Sequence, residues 1–402
     1  MAQFKISDYE TIKKALVNRN LKQALYDEGK VIMDGVLLTL HGEEHHKRRK
    51  LEHKVFQREF FKYYEKELFP KTLDETFGPF LKLNRADLID FGYRITINLT
   101  ADFAGIDRVK KTTNETNKLL KLVKKFSEGA TLVHSKRKKS VVEKEVLEAL
   151  DIFQKDFLKP SIDRRLKLIA AYKNGEITKN TLPRDVLTVL LLNEDNIKLN
   201  NNIIKKEIAF YLQAGSHSTA NSMTHAFHEI SNWINEDNKK LSKIKNNPIF
   251  LQKCVHESMR LHPASPVAWR KSTCPIKINK NIFLEKDDLL IMDLYSANRD
   301  INIFGKDANK FNPDRLIKTK QNLWGLTFGI GLHMCFGRDL DGGVIPDKET
   351  DPLNHQYGVV TLLIKKLFEH NVQNDPDCEP EWDIKTERPN WGKYPIIFGE
   401  KQ

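Results

Sequence analysis

Cysteine is scarce in this chain: four residues in 402 (Cys254, Cys274, Cys335 and Cys378), none of them in a Cys-x-x-Cys pair. That excludes a disulfide framework and a paired-cysteine zinc site, and it fits a reducing compartment. Long apolar runs are also missing. No stretch approaches the roughly 18–20 apolar residues of a membrane-spanning helix. Met1 to Tyr9 is polar and lacks the apolar core of a secretory signal. A cytoplasmic protein without a membrane span is therefore expected. There is no Gly/Ser-rich or Pro-rich linker and no internal repeat. Residues 1–402 should accordingly form a single domain, although length alone would suggest two or three. Acid is in deficit, with 54 Asp and Glu against 66 Lys and Arg, a net charge of +12. The densest basic runs, 47–50 and 136–139, are not interleaved with the aromatics of a base-stacking surface, so no nucleic-acid partner is expected.

What the chain does have is a large apolar fraction, 40% with 9% aromatics, enough for a substantial core. Apolar residues recur at helical spacing over 8–18, 42–68, 84–107, 111–128, 141–174, 200–235, 248–261 and 356–370. Pro160 should break or begin a helix within the fifth of these. Segments 267–270, 276–284 and 288–294 read as short strands, with Asn279-Lys280-Asn281 as a turn inside the second. The expected class is mainly α with small β-sheets.

The most informative segment is Phe328-Gly329-Ile330-Gly331-Leu332-His333-Met334-Cys335-Phe336-Gly337, a glycine-rich loop running into a helical pattern. Gly329 and Gly331 would let backbone approach a flat cofactor, and Gly337 would leave room beyond the sulfur. Amides at the start of the next helix would favour the thiolate. A lone cysteine is by default a small buried hydrophobe, and that reading holds for Cys254, Cys274 and Cys378. At Cys335 the spacing Phe-x-x-Gly-x-His-x-Cys-x-Gly resembles the haem-binding loop of the cytochrome P-450 family. A thiolate axial ligand pushes electron density onto haem iron and promotes O–O cleavage.

Further segments carry the same resemblance in the family's order. Glu257-Ser258-Met259-Arg260, then Leu261-His262-Pro263, then Phe311-Asn312-Pro313-Asp314-Arg315 resemble its buried Glu–Arg–Arg network. The resemblance gives Glu257, Arg260 and Arg315 the structural role of locking the meander beneath the haem. Ala297-Asn298-Arg299-Asp300, leading to Phe304-Gly305, is similar to the family at this point as well. His45 and Arg49 would reach one haem propionate, and Arg270 and His333 the other. Ala214-Gly215-Ser216-His217-Ser218-Thr219 resembles the oxygen-activating centre of the long helix, where Gly215 would let the helix open for dioxygen. There His217 replaces the usual acid and Ser218 the usual first threonine. Histidine titrates near neutrality and could relay protons. The alternative is that His217 faces away and water carries them.

The resemblance implies the cytochrome P-450 fold, with the first helix and first strands of the family missing or reduced at the N-terminus and an inserted loop from Val344 to Gln356. It implies a haem-thiolate monooxygenase of the soluble bacterial type, with haem b on Cys335. Such an enzyme inserts one oxygen atom of O2 into a small, mainly apolar organic substrate. Electrons would come from NAD(P)H through a reductase and a ferredoxin or flavodoxin, attracted by Lys47, Arg48, Lys50 and Lys54. Candidate pocket residues are Val36 to Leu38, Phe210, Gln213, Ala214 and Pro266 to Ala268, with no charged anchor among them. Two alternatives remain: a peroxide-driven peroxygenase, or an isomerase or dehydratase needing no redox partner, suggested by the His217-Ser218 pair; and a non-catalytic haem-binding protein.

Overall fold

A 35-residue helix, Asn201–Asn235, runs through the middle of the protein. The Asn200 side chain caps its start, accepting from the Ile203 amide at 2.9 Å. Ile204, Ile208, Leu212, Met223, Phe227 and Ile230 are buried along it. Helices Leu88–Ala104, Thr113–Ala130, Pro248–Leu261 and Val359–Glu369 pack around this axis. This account comes from a computed structural model and covers residues 1–193, 199–316 and 323–399.

The sheets are small and peripheral. Four strands pair in the spatial order Gln3–Ile6, Leu289–Asp293, Val267–Ser272, Leu21–Gln23, the first pair parallel and the others antiparallel. Arg85–Asp87, Pro395–Phe398 and Val372–Asn374 form a second sheet. Near the C-terminus, Glu381–Trp382 and Trp391–Lys393 form a hairpin. The mainly α class with small sheets stands, and two strands in the opening residues are additional to those read from the sequence.

Several elements differ from expectation. The helix expected over 42–68 is interrupted: Gly42–Glu52 ends, and Arg58–Tyr63 begins a new helix that passes through a π turn, Tyr64–Leu68, into Phe69–Leu81. Pro160 begins a helix, one of the two outcomes expected of it. A π turn at Gln154–Leu158 precedes it, and the helix resumes as Lys159–Lys173 with the proline in its first turn. Pro70 follows the other π turn in the same way. The widened turn moves the backbone bonds out by one residue, so the missing proline N–H costs little.

The helix after Cys335 is a single turn, Arg338–Asp341. Residues 342–358 then leave and return, with no helix or strand between Val344 and Gln356, before the chain resumes as Val359–Glu369. The loop is pinched at its base. A side chain on Gly358 would collide with the backbone of Gly342 and Gly343. Gln252 Nε2 reaches the carbonyls of Gly342 and Val344 (both 3.1 Å) and Tyr357 (3.0 Å), and Glu65 accepts from the amides of Tyr357 (2.8 Å) and Gly358 (3.1 Å).

Candidate active site

Between the long helix and the cysteine loop lies a cavity of about 360 Å³. The loop is set by backbone geometry. Gly329 and Gly331 have φ of 62° and 73°, which side chains resist, and a Cβ on Gly331 would press on the Leu16 carbonyl at 2.9 Å. The Cys335 amide donates to the Phe328 carbonyl at 2.9 Å, which closes the loop. Cys335 lines the cavity and is exposed towards it. Gly337 meets a lesser demand than its sequence context suggested, since a Cβ there would sit an ordinary 3.9 Å from the sulfur.

Burial and the nearby Asp341 push the Cys335 thiol up to about 11, although a backbone hydrogen bond from Gly337, together with Arg49 and Arg338, works the other way. The helix that follows is too short to supply the dipole expected of it. A coordinated metal would ionise such a thiol outright.

Around this sulfur the structure gathers a set of cations and unsatisfied histidines. His45 is fully buried, its ring centroid 4.6 Å from that of His333, and neither ring nitrogen of either histidine has a hydrogen-bond partner. Burial, then Arg49, drives His45 down to about 4; burial, then Arg270, drives His333 to about 2. Arg49 donates to the Met334 carbonyl at 2.6 Å and stacks over Phe336 at 4.0 Å. Among the described residues Arg270 donates only to the Gln23 side chain (2.8 Å) and the Trp269 carbonyl (2.9 Å), and its burial lowers it to about 10. All four line the cavity, and none has a carboxylate partner among the described residues. Buried cations and orphaned donors of this kind are costly unless an anionic group completes them. The donor set therefore fits haem: one sulfur for iron, two arginines and two histidines for two propionates.

The long helix contributes Ala214, Gly215, His217, Ser218 and Thr219 to the opposite wall. It stays α-helical across Gly215 rather than opening there. That glycine instead admits Thr100, whose methyl group occupies the space a side chain would need. His217 is clamped: its Nδ1 lies 2.5 Å from the Tyr93 hydroxyl, and burial, then Arg388, lowers it to about 3. It is neutral at physiological pH, contrary to the titration near neutrality expected from its residue type. Ser218 donates to the Ala214 carbonyl at 2.5 Å, and Thr219 donates to Asp341 at 2.8 Å. Burial raises the Asp341 carboxyl to about 6.

Glu257, Arg260 and Arg315 come together as expected. Arg260 Nη2 and Nε meet the two Glu257 oxygens at 2.7 and 2.8 Å, and Arg315 Nε meets Glu257 at 3.1 Å. Arg260 also donates to the carbonyls of Asn298 (2.5 Å) and Ala308 (2.8 Å). Asn298 in turn donates to Thr327 at 3.1 Å and accepts from the Leu326 amide at 2.8 Å, which ties the network to the residues just before Phe328. That linking role of Asn298 was not read from sequence.

Of the pocket candidates, Leu37, Leu38, Phe210, Gln213, Ala214, Val267 and Ala268 line the cavity, as do Phe328 and Gly337; Val36 and Pro266 do not. None of these candidates is charged, but Arg388, which was not among them, lines the cavity too. Arg48 is not part of an exposed basic face. It is 3% exposed and bonds Glu52 at 3.0 Å and, very closely, Glu207. Lys47, Lys50 and Lys54 are exposed. Among the described residues no helix is long and apolar enough to cross a membrane.

Known proteins resemble this chain in both fold and sequence. The solved structure of CalO2 superposes with a TM-score of 0.73 at 15% identity, covering 98% of this chain and 90% of that one. That of CYP109E1 from Bacillus megaterium, in complex with corticosterone, gives 0.71 at 17%, covering 98% and 92%. At such identities the likeness concerns the fold. Cytochrome P450 52C1 of Candida tropicalis is 27% identical over 209 residues, 46% of this chain and 40% of that protein. Cytochrome P450 750A1 of Pinus taeda is 25% identical over 257 residues, 57% and 46%. The chain thus aligns with less than half the length of these relatives. The family model described as Cytochrome P450 matches residues 3–340. With that match spanning most of its length, this chain belongs to the cytochrome P450 family.

Proposed function

We propose that the protein is a haem-thiolate monooxygenase acting on a small, mainly apolar organic substrate, in which Cys335 would hold the haem iron. The observation that carries this reading is the donor set around the cavity: one sulfur facing the buried Arg270, the half-buried Arg49 and two histidines, none of them with a carboxylate partner among the described residues. Haem bound there supplies reductive activation of O2, one atom going to the substrate and the other to water. Arg49 and His45 would hold one propionate, Arg270 and His333 the other. Glu257, Arg260 and Arg315 keep the cysteine loop in place through Asn298 and Thr327. Ser218 spends its proton on Ala214, which leaves its oxygen able to accept a hydrogen bond at the cavity wall. His217, neutral and fixed by Tyr93, orients that wall. Electrons come from NAD(P)H through a reductase and a ferredoxin or flavodoxin, drawn to Lys47, Lys50 and Lys54.

The neutral His217 in place of an acid favours one second reading, turnover driven by hydrogen peroxide. Both can be tested in one reconstitution. With NADPH, ferredoxin reductase and ferredoxin, oxygen uptake should rise when substrate is added and be lost in Cys335→Ala. Product formed from hydrogen peroxide alone, and not increased by ferredoxin, would replace the monooxygenase reading with the peroxygenase one.

A further inference from the structure

Arg388 is 7% exposed, and its side chain lines the cavity. Its Nε is buried without a hydrogen-bond partner, and no ion pair reaches its guanidinium among the described residues. The groups that act on it or feel its charge are Tyr26, Tyr93, His217 and His134, none of them anionic at neutral pH. An arginine cannot shed its charge as a buried lysine can, so a site of this kind is costly until an anion arrives.

Its position is built rather than accidental. Arg388 sits at the tip of the Glu381–Trp382 and Trp391–Lys393 hairpin, whose two tryptophans stack at 3.8 Å. The tip is fastened to the turn at Leu132–His134. The Glu387 amide donates to the His134 carbonyl (3.0 Å), the Lys136 amide to the Lys385 carbonyl (3.1 Å), and Ser135 bridges Thr386. A pinned tip holds the guanidinium at one place in the cavity, so little ordering cost remains when a ligand binds.

The charges on the wall identify the ligand. Among the described residues three arginines line the cavity, Arg49, Arg270 and Arg388, against a single acid, Asp341, which is occupied by Thr219. Two propionates match Arg49 and Arg270. One positive charge is left over, and the rest of the wall is largely aliphatic and aromatic. A phosphate monoester would bring nearly two negative charges to that one cation. We infer that the substrate is an apolar monocarboxylate, its carboxylate received by the Arg388 fork and its hydrocarbon body by the apolar wall. The count of charges rests on the haem of the proposed function, and the fate of the acid on its monooxygenase reading.

The test compares dodecanoate with dodecan-1-ol, which share a chain and differ in the head group. Each is titrated by calorimetry, and by the ferric haem absorption, into the haem-loaded full chain and its Arg388→Gln and Arg388→Lys forms. Dodecanoate affinity should fall about tenfold or more in Arg388→Gln. It should fall less in Arg388→Lys, and dodecan-1-ol should be unaffected in both. Equal losses for acid and alcohol, or no loss for the acid, would overturn the assignment. Arg388→Lys keeps the charge, so it decides the matter if Arg388→Gln misfolds. If the wild type lacks a thiolate-type carbon monoxide spectrum, the haem reading fails separately. The calorimetric difference between acid and alcohol still decides the role of Arg388.

Discussion

Arg260 and Arg388 are both buried, at 0% and 7% exposed, and their surroundings are opposite. Arg260 donates to both oxygens of Glu257 and to two backbone carbonyls. The Arg388 side chain has no partner among the described residues. A guanidinium completed within the protein is architecture, and removing any member of its network leaves a charge stranded. One left incomplete at a cavity wall is a binding group whose cost is offset only when its ligand arrives. Asp341 lies between these extremes, a buried carboxyl with one partner, Thr219.

The strongest way to break the comparison is Glu257→Ala. It strands Arg260 and Arg315 together, and we expect a loss of about 3–5 kcal/mol in denaturant unfolding. A loss below about 1 kcal/mol would mean that the network is not the lock described here. At Arg388 the sign should reverse. Arg388→Met removes an uncompensated buried charge, so the haem-loaded protein without added acid should gain about 1–2 kcal/mol. Destabilisation of that size would mean the guanidinium has a partner of its own.

Asp341 sharpens the middle case through pH. Its folded pKa is raised from 3.8 to about 6, so the stability it contributes is present below the lower value and is lost as pH climbs through the upper one. Relative to Asp341→Asn, the wild type should therefore weaken between about pH 4 and pH 6; a flat difference would contradict the burial argument. The smallest effect belongs to the exposed surface. Reduction by ferredoxin should slow as salt rises, and slow a few-fold when Lys47, Lys50 and Lys54 are neutralised. Rates independent of salt would remove the docking assignment.

Where the sequence was legible, the information was local. Asn200 ahead of an apolar 3.6-residue period marks the long helix, and Asn247-Pro248 marks Pro248–Leu261, whose ends coincide with those expected. The haem-loop glycines and the Glu257–Arg260 spacing are likewise short-range. What escaped depends on partners distant in the chain. Gln3–Ile6 becomes a strand only by pairing with Leu289–Asp293. Arg48, in a basic run that reads as a surface, is drawn inside by Glu207, 159 residues away. Nothing near Arg388 distinguishes it from an exposed arginine, because its burial comes from the hairpin's attachment to the Leu132–His134 turn. The neutrality of His217 follows from its burial and then from Arg388, which is far from it in sequence.

The central claim is that Cys335 binds haem iron as a thiolate. The direct measurement is the carbon monoxide difference spectrum of the reduced protein beside Cys335→Ala. A strongly red-shifted haem band in the wild type that disappears in Cys335→Ala is the predicted result. Failure to take up haem, or a band unchanged by the loss of Cys335, would contradict it.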